Sequence, residues 1–363
     1  MKRINKILIG LILIATMFLG VGYSAISNIT LDITGTISAG GLAEKKPYLP
    51  TGFNWVEGTS LENGLTIQDE NGNQYVWIEV PKTAEVYPTA GLEINSFSEN
   101  EYERIETDLN TYASTYNTPT GFKDIWYSSA QHGFASADKY NEHKYKMLKS
   151  VYLNEGFYVG KYETGIADTQ PDEVDTSHEA RTAKGDATQK PVIQANAYPY
   201  NFVTCSQAQV LATSMESGEY TSSLMFGVQW NLVLRYLESK GVPQSELNSN
   251  SSSWGNNQTN LWTITNSSSK HYYGAWADKP YGTKANKYTN ILVSTGADSS
   301  FSKQGIYDLA GNVAEWTLEY TSYTGYPCVG RGGAYNENVT ATYATDFGIA
   351  YSSIYNGFRV TIF

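Results

Sequence analysis

The chain has 363 residues, of which 41% are hydrophobic and 17% are charged, and its formal net charge is −11. This composition excludes a disordered chain and supplies a sizeable core, and its 29 tyrosines, 8 tryptophans and 32 glycines suit a loop-rich domain with aromatic surfaces. The negative charge and the lack of a basic patch argue against binding to nucleic acid or to anionic lipid, because both require clustered Lys and Arg.

The first residues have the order of regions of a secretory signal. Three basic residues precede an uncharged apolar run from residue 7 to about residue 25. Tyr23 fits poorly two positions before a cleavage after Ala25, and the run approaches the length that spans a bilayer. We therefore expect residues 1–27 to be a signal peptide or an N-terminal membrane anchor, followed by a short strand and linker at 28–49. The protein is expected to be exported, and either secreted or held at the cell surface.

Residues 50–363 are predicted to form one domain. Asn71-Gly72 lies between two apolar runs and predicts a hairpin turn. The second run, around Trp77, is typical of a strand that is buried on both faces. Residues 83–154 are polar, with acidic patches and a predicted amphipathic helix near 137–151. We interpret this segment as an insertion.

Two further helices are predicted in the second half of the chain. Thr204 is a suitable N-cap for a helix that begins at Cys205. Residues 222–239 carry an apolar face and end before Gly241, which stops the helix. Cys205 and Cys328 are the only cysteines. In an exported protein they either form a disulfide or occupy separate buried positions.

A segment rich in Ser and Asn, residues 249–276, contains four large aromatic residues, Trp254, Trp262, Tyr272 and Trp276. Tyrosine and tryptophan offer a large contact area at low entropic cost, and Asn and Ser add adaptable hydrogen bonds. A solvated loop explains the Ser and Asn content equally well, but it does not explain the aromatics. We therefore predict that this aromatic loop lines a shallow ligand-binding surface.

The stretch from Gly305 to Trp316 combines carboxylates with glycines. Asp308 and Glu315 only accept hydrogen bonds when ionised, and Gly311 allows a backbone turn that points carbonyls inward. Such a turn suits a hard cation such as Ca²⁺. The alternative is an ordinary turn in which the side chains of Asp308 and Asn312 bond their own backbone.

Five segments together resemble one known family. They are Phe157-Tyr-Val-Gly-Lys-Tyr-Glu163, the predicted helices around Cys205 and Trp230, Gly305–Trp316, Arg331-Gly-Gly-Ala-Tyr335 and Gly357-Phe-Arg-Val360. Their order resembles that in the formylglycine-generating enzyme (sulfatase-modifying factor) family, over residues 50–363. The resemblance implies a variant of the C-type lectin fold. That fold is α+β and loop-rich, with small antiparallel sheets and two helices.

The resemblance also implies structural Ca²⁺. In the family, the ion binds the side chains that match Asp308 and Glu315 and the carbonyls that match Gly311 and Val313. A second ion site of the family lies in a segment that is shorter here than in the enzymes. Its matching positions are the side chains of Asn290 and Asp298 and the carbonyls of Ile291 and Ser300.

The catalytic residues of the family have no equivalent in this chain. Formylglycine formation uses two cysteine thiolates to hold Cu(I), which selects soft ligands. The matching positions are Glu337 and Thr342. An iron branch of the same fold uses a His-x3-His-x-Glu helix, and none of the four histidines has that spacing. We therefore assign no catalytic residue and expect no copper.

These observations favour an exported, non-catalytic module that binds an extracellular protein or glycan through the aromatic loop and residues 335–356. In the C-terminal segment, the predicted ligand-binding residues are Tyr335, Asn336, Glu337, Tyr343, Asp346, Phe347, Tyr351 and Tyr355. One alternative is a sulfatase-maturation enzyme or accessory with a non-standard site, and another is a structural cell-surface protein. The C-terminal segment also resembles the diversified region of retroelement-variable lectin-fold proteins, which gives a diversified binding protein as a further alternative.

Overall fold

The computed structural model describes residues 47–118, 122–166, 187–217, 220–248, 254–273, 276–279, 282–338 and 340–363, without the side chains of 271–273 and 276–279. The predicted signal segment, the predicted short strand after it and residues 167–186 lie outside this range. From Pro47 onward the chain forms one unit.

The described ranges contain six α-helices, the longest of which has 18 residues. They are α1 (Glu99–Tyr112), α2 (Ser129–His132), α3 (Ala137–Asn154), α4 (Cys205–Thr213), α5 (Gly227–Ser239) and α6 (Gln244–Asn248), with 3₁₀ turns at Ser114–Tyr116 and Ser299–Phe301. None of the helices in the described part of the chain has both the length and the apolar character needed to cross a bilayer.

The strands are also short. In chain order they are β1 (Phe53–Trp55), β2 (Thr66–Asp69), β3 (Gln74–Glu79), β4 (Phe122–Lys123), β5 (Gly156–Gly160), β6 (Gly165–Ile166), β7 (Pro191–Val192), β8 (Tyr198–Pro199), β9 (Ser222–Leu224), β10 (Trp262–Ile264), β11 (His271–Tyr273), β12 (Trp276–Lys279), β13 (Gly282–Lys284), β14 (Leu292–Val293), β15 (Ser302–Lys303), β16 (Ile306–Tyr307), β17 (Ala314–Thr321), β18 (Cys328–Arg331), β19 (Ala344–Phe347), β20 (Asn356–Phe358) and β21 (Val360–Ile362).

Two sheets organise these strands. A six-stranded antiparallel sheet has the order β1-β2-β3-β5-β21-β9. A second sheet has the order β19-β18-β17-β20, in which β4 also pairs with β17 and only the β17–β20 pairing is parallel. Small two- and three-stranded sheets complete the chain. The fold is therefore mixed α and β, loop-rich, with small antiparallel sheets and few helices, as the sequence predicted.

Two predictions from short sequence patterns are confirmed: the hairpin turn at Asn71-Gly72 and the helix N-cap at Thr204. Strands β2 and β3 pair across the Asn71-Gly72 turn, where Gly72 has φ +84°. The Thr204 hydroxyl accepts a hydrogen bond from the Gln207 amide at the start of α4, and the Gln207 side chain bonds back to the Thr204 amide. These reciprocal bonds satisfy amides that the first helical turn leaves unpaired.

The predicted helix at 222–239 needs a correction. Helix α5 begins only at Gly227, and Ser222–Leu224 form strand β9. The reason is tertiary, because β9 pairs along β21 at the edge of the six-stranded sheet. Apolar residues alone do not distinguish a short buried strand from the first turn of a helix.

Residues 83–154, predicted to be an insertion, are packed into the main core. Buried side chains of α1 and α3, among them Leu109 and Met147, belong to the same hydrophobic cluster as the sheet residues. The Tyr140 hydroxyl donates to the Leu318 carbonyl at 2.8 Å, and β4 pairs with the end of β17. The segment therefore supports the strand that leads out of the Gly305–Trp316 stretch.

Two histidines of this segment are buried in apolar surroundings. Burial lowers the pKa of His132 to about 3 and that of His143 to about 4. Both values lie below the ordinary value of 6.5, so the unfolded chain takes up these protons first. The two histidines therefore contribute stability that is present near neutral pH and is lost as the pH falls from 6.5 toward 4.

Replacing His143 with phenylalanine is expected to reduce this loss. The ring packs against those of Phe134, Phe226 and Phe363, so the substitution suits the site. As the pH falls below the pKa of the unfolded chain, the free energy of unfolding of the variant should rise relative to that of the parent. The gain should be up to about 1.4 kcal/mol per pH unit. Urea unfolding at neutral pH and near pH 4.5 measures it. An equal difference at both pH values would contradict the assignment.

Candidate functional site

The Gly305–Trp316 turn is held by backbone conformations that side chains rarely adopt. Asp308, Gly311 and Asn312 have φ values of +57°, +84° and +59°. A Cβ atom on Gly311 would lie 2.2 Å from the Asn256 carbonyl oxygen, so this position requires glycine. The Asn312 amide donates to the same carbonyl at 2.8 Å. The turn is thus locked against the segment at residue 256.

The side chains of this turn do not bond their own backbone, so the ordinary-turn alternative does not describe them. Asp308 Oδ2 accepts from the Gly296 amide at 2.9 Å. The Asn312 side chain donates to Glu163 Oε2 at 2.7 Å and accepts from the Val293 amide at 3.1 Å. Both side chains therefore connect the turn to distant parts of the fold.

Three buried carboxylates and one buried arginine meet behind this turn. We call Glu163, Asp308, Glu315 and Arg359 the carboxylate cluster. Arg359 Nε donates to both oxygens of Glu315, at 3.0 and 2.9 Å, and Nη2 donates to Oε1 at 2.5 Å. The other guanidinium donors bind the carbonyls of Gly160 and Tyr307. Every nitrogen of Arg359 is thereby used.

The cluster contains more negative than positive groups. Burial raises the pKa of Asp308 to about 7, although the Gly296 amide and Arg359 act in the opposite direction. Burial, followed by the charges of Asp308 and Glu315, raises the pKa of Glu163. Three carboxylates facing one guanidinium leave two negative charges when all are ionised. Protons or a divalent cation can neutralise them.

One oxygen of the cluster fits a cation ligand. Asp308 Oδ1 is buried and has no hydrogen-bond partner among the described residues. Buried polar atoms without a partner are rare, and a bound ion is one explanation. No group of three or more His, Cys, Asp or Glu side chains in the described ranges has a metal-holding arrangement. An ion here would therefore depend on backbone carbonyls, as predicted for Gly311 and Val313, beside Asp308 and the arginine-bound Glu315.

The residues of the second predicted ion site are used differently. Asp298 Oδ1 accepts from the Ser300 amide at 2.9 Å and caps a 3₁₀ turn. The Ile291 carbonyl accepts from the Asn256 side chain at 2.8 Å, and Asn290 is exposed. These contacts occupy one oxygen of Asp298 and the Ile291 carbonyl with hydrogen bonds, so we leave this site out of the proposal below.

Glu163 and Arg359 are site residues that the sequence reasoning did not select. Glu163 lies in the short connection between β5 and β6, and Arg359 lies between β20 and β21, each beside buried residues such as Tyr162, Phe358 and Val360. A charged residue inside a run that is predicted to be buried needs a partner, and this signal was present in the sequence.

The two tryptophans of the predicted aromatic loop whose side chains the structure describes are buried. Trp254 is 1% exposed and donates its indole N–H to the Phe301 carbonyl, and Trp262 is 8% exposed and packs against the Phe301 ring. Both tryptophans therefore lie in the interior, and we remove them from the ligand surface. The side chains of Tyr272 and Trp276 lie outside the described part of the structure.

The C-terminal segment provides a surface at the edge of a sheet. Strand β19 is an edge strand that pairs only with β18 in this sheet, and its residues are partly exposed. The Phe347 ring stacks on Tyr351 at 4.7 Å and packs edge-on against Trp316 at 5.1 Å. A Cβ atom on Gly330 would lie 2.8 Å from the Phe347 ring, so glycine makes room for the ring.

Two tyrosines that were not predicted extend this surface. Tyr323 and Tyr326, on the turn between β17 and β18, are 59% and 50% exposed and stack at 5.4 Å. Tyr326 lies beside Gly348, because a Cβ atom built there would be 3.8 Å from its ring. We define Tyr323, Tyr326, Phe347 and Tyr351 as the aromatic surface. The sequence signal for the two tyrosines was their position in a short polar segment between strands.

The remaining predicted ligand residues are placed around this surface. Tyr335 is buried and packs against Tyr355, which is partly exposed. Asn336, Tyr343 and Asp346 are also partly exposed, and Asp346 lies opposite Val329 in the β18–β19 pairing. The structure thus keeps the strand residues of the C-terminal segment near solvent and withdraws Tyr335 from it.

The positions that match the family's copper ligands carry out structural roles. Glu337 Oε2 accepts from the Ala334 amide at 3.1 Å, and the hydroxyls of Thr340 and Thr342 bond each other at 2.8 Å. Cys205 and Cys328 are free and buried, and the hydrogen bond to the Cys328 thiol, followed by burial, raises the pKa of Cys205. A thiol with a raised pKa is a poor nucleophile and a poor metal ligand near neutral pH.

Comparisons with known proteins give only remote similarity. No protein-family model and no curated protein matches the chain. Among solved structures, it is similar to the crystal structure of CarF, with 15% identity, a TM-score of 0.23 and coverage of 79% of this chain and 85% of that chain. It is also similar to Treponema denticola variable protein 1, with 13% identity, a TM-score of 0.23 and coverage of 87% and 93%. We draw no conclusion about this chain from similarity at that level.

Proposed function

We propose that the chain is an exported, non-catalytic, lectin-like binding protein that holds an extracellular protein or glycan on its aromatic surface. The observation that carries the proposal is the exposure of stacked aromatic rings along an edge strand and the adjoining turn. Rings that are half exposed offer both stacking faces and hydroxyl groups to a ligand. Clusters of this kind are more typical of interaction sites than of an inert surface.

The proposed family is that of the formylglycine-generating enzymes, with a C-type lectin-like fold. Support comes from contacts between the sequence motifs that carry the resemblance. Glu315 of the Gly305–Trp316 stretch pairs with Arg359 of the Gly-Phe-Arg segment, and β17 runs parallel to β20. Arg331 of the Arg-Gly-Gly segment pairs with Glu319 of β17. Motifs that are distant in sequence thus depend on one another.

The proposal includes a structural Ca²⁺ ion at Asp308, with carbonyls of the Gly305–Trp316 turn. Chelation is expected to lower the melting temperature by several degrees, because an ion that binds only the folded state stabilises it by mass action. Asp308→Ala should remove the response to the chelator, as thermal unfolding with and without the chelator would reveal. Asp298→Ala, at the second predicted site, should keep the response. Unchanged melting of the parent protein on chelation would refute the ion.

The absence of catalysis is tested against the closest enzymatic alternative. The purified chain is incubated with a sulfatase peptide that contains the substrate cysteine and with Cu(I), and aldehyde is sought by mass spectrometry. We expect no aldehyde, because the matching positions supply a carboxylate and a hydroxyl instead of thiolates. An active formylglycine-generating enzyme provides the positive control. Aldehyde formed at a comparable turnover would establish the enzymatic alternative.

One observation favours a diversified form of this binding function. Residues 342–355 are all at least partly exposed, and apart from Phe347, Ile349 and Tyr355, which pack against the core, substitutions there should disturb the core little. A reverse transcriptase gene and a template repeat beside the coding sequence would support diversification. Their absence from the source genome would leave a binding protein with a fixed surface.

A further inference from the structure

A cavity of about 760 Å³ is lined by residues from 103–118 and 122–125, by the first turn of α5 and by Glu319. Its volume falls within the range of about 300–1,000 Å³ that is typical of small-molecule sites. Four carboxylates, Glu103, Glu106, Asp124 and Glu319, line it with a single lysine, Lys123. The cavity is separate from the carboxylate cluster, because none of the cluster's residues lines it.

Two of the four carboxylates form ion pairs with buried basic residues of the protein. Glu106 pairs with the buried Lys144 at 2.9 Å. Glu319 accepts from Arg331 Nε at 2.8 Å and from Nη2 at 3.0 Å. For Asp124 and Glu103, the described residues provide no ion pair. Lys144 Nζ reaches the backbone carbonyl of Asp124 at 3.0 Å but forms its ion pair with Glu106, so Asp124 and Glu103 are the two cavity carboxylates without an ion pair among the described residues.

Asp124 is the most informative of these groups. The residue is only 8% exposed, and it still lines the cavity. Its two oxygens accept from the amides of Gly227 and Val228, at 2.7 and 3.0 Å, at the start of α5. These bonds fix the carboxylate and leave a lone pair on each oxygen. Backbone dipoles compensate only part of a buried charge.

The burial of the Asp124 carboxylate changes its pKa. Burial and the neighbouring Glu319 raise the pKa of Asp124 to about 7, in spite of the two amides. A cation within the cavity would reverse this effect and would gain a charge-assisted hydrogen bond in partly dehydrated surroundings. Neutral hydroxyl compounds could bond the same oxygens but would leave the charge uncompensated.

We propose that this cavity binds a small aliphatic amine, with Asp124 as the counter-ion of an ammonium group and Glu103 as a second acidic contact nearer to solvent. The inference is independent of the aromatic surface and of calcium. An ammonium group offers three donors, so it can contact the fixed Asp124 oxygens and a further wall group at once.

Isothermal titration calorimetry of the full-length chain tests the proposal with two matched probes, 1,4-diaminobutane and 1,4-butanediol, near pH 8. They have the same carbon chain and differ in charge. We expect the diamine to bind and the diol to give no measurable heat. Asp124→Asn, which keeps the shape and one of the two oxygen acceptors for the α5 amides, should weaken diamine binding about tenfold or more. Glu103→Gln should weaken it less, because this residue is exposed.

Non-specific attraction to an acidic protein is the competing explanation for diamine binding. Glu142→Gln removes the same charge from an exposed position on α3 outside the cavity, so it should leave binding unchanged. Thr107→Trp should abolish diamine binding because the larger side chain fills the cavity. This variant tests whether the diamine binds in the cavity if Asp124→Asn does not fold. Equal binding of the diol, equal weakening by Glu142→Gln, or full affinity in Thr107→Trp would each overturn the proposal.

Discussion

Replacing Arg359 with methionine is expected to lower the free energy of unfolding by about 3–5 kcal/mol. The guanidinium is 0% exposed and is the only cation in the carboxylate cluster among the described residues. Without it, Glu315 loses its ion pair and remains in the core beside Asp308 and Glu163. Methionine fills similar space, so the loss reports mainly the unpaired charge rather than a cavity.

Urea unfolding at neutral pH measures this loss. Arg104→Met is the matched control, because it breaks an exposed ion pair with Glu101 within α1. Exposed pairs contribute little, so the control should change stability by no more than about 0.5 kcal/mol. A loss below about 1 kcal/mol for Arg359→Met would show that the buried carboxylates do not depend on the arginine.

Replacing Arg331 with methionine is expected to cost about 3 kcal/mol near pH 8. Arg331 is fully buried. It donates two hydrogen bonds to Glu319 and a third to the side-chain oxygen Oδ1 of Asn231. Glu319 also lines the cavity described above, where Asp124 adds a second carboxylate. Loss of the guanidinium would leave Glu319 without its ion-pair partner and beside the buried Asp124.

Two measurements identify the cause of that loss. At pH 5 the cost of Arg331→Met should be smaller, because a buried carboxylate without a counter-ion can take up a proton. The double variant Glu319→Leu, Arg331→Met should be more stable than the single variant, since removal of both partners leaves no unpaired charge. A double variant that is less stable than the single variant would instead assign the loss to packing.

Features set by neighbouring residues could be predicted from the sequence. The hairpin at Asn71-Gly72 and the cap at Thr204 depend on short-range hydrogen bonds and on backbone conformations that particular residues favour. The strand around Trp77 was recognisable from its continuous apolar run, and it is buried in the structure. These predictions hold because few distant contacts can override them.

Features set by distant partners could not be predicted in the same way. Asp308 and Glu315 were selected as ion ligands, but Glu163 reaches the turn from 149 residues away and Arg359 from 44 residues beyond Glu315. The segment 222–224 was assigned to a helix because its pairing with β21 is not visible locally. Composition alone also does not predict whether the Trp254 side chain faces solvent or the core. In the structure it is buried in the core.

The aromatic surface differs from the ligand surface predicted from the sequence for the same physical reason. Aromatic residues in a polar loop satisfy the composition of a binding surface, but burial depends on which side of the loop faces the core. Trp254 has a buried hydrogen-bond partner, whereas Tyr323 and Tyr326 remain largely exposed. The proposed site is therefore narrower than the sequence suggested and lies around the β18–β19 edge.

The most direct test of the proposed function is binding of the labelled chain to a combined glycan and protein array. We predict reproducible binding to a subset of spots and its loss in the double variant Tyr326→Ser, Tyr351→Ser. Tyr288→Ser removes a more exposed tyrosine, at 68%, outside the aromatic surface and should retain binding. Blank spots throughout, or binding that the double variant retains in full, would contradict a ligand-binding role for this surface.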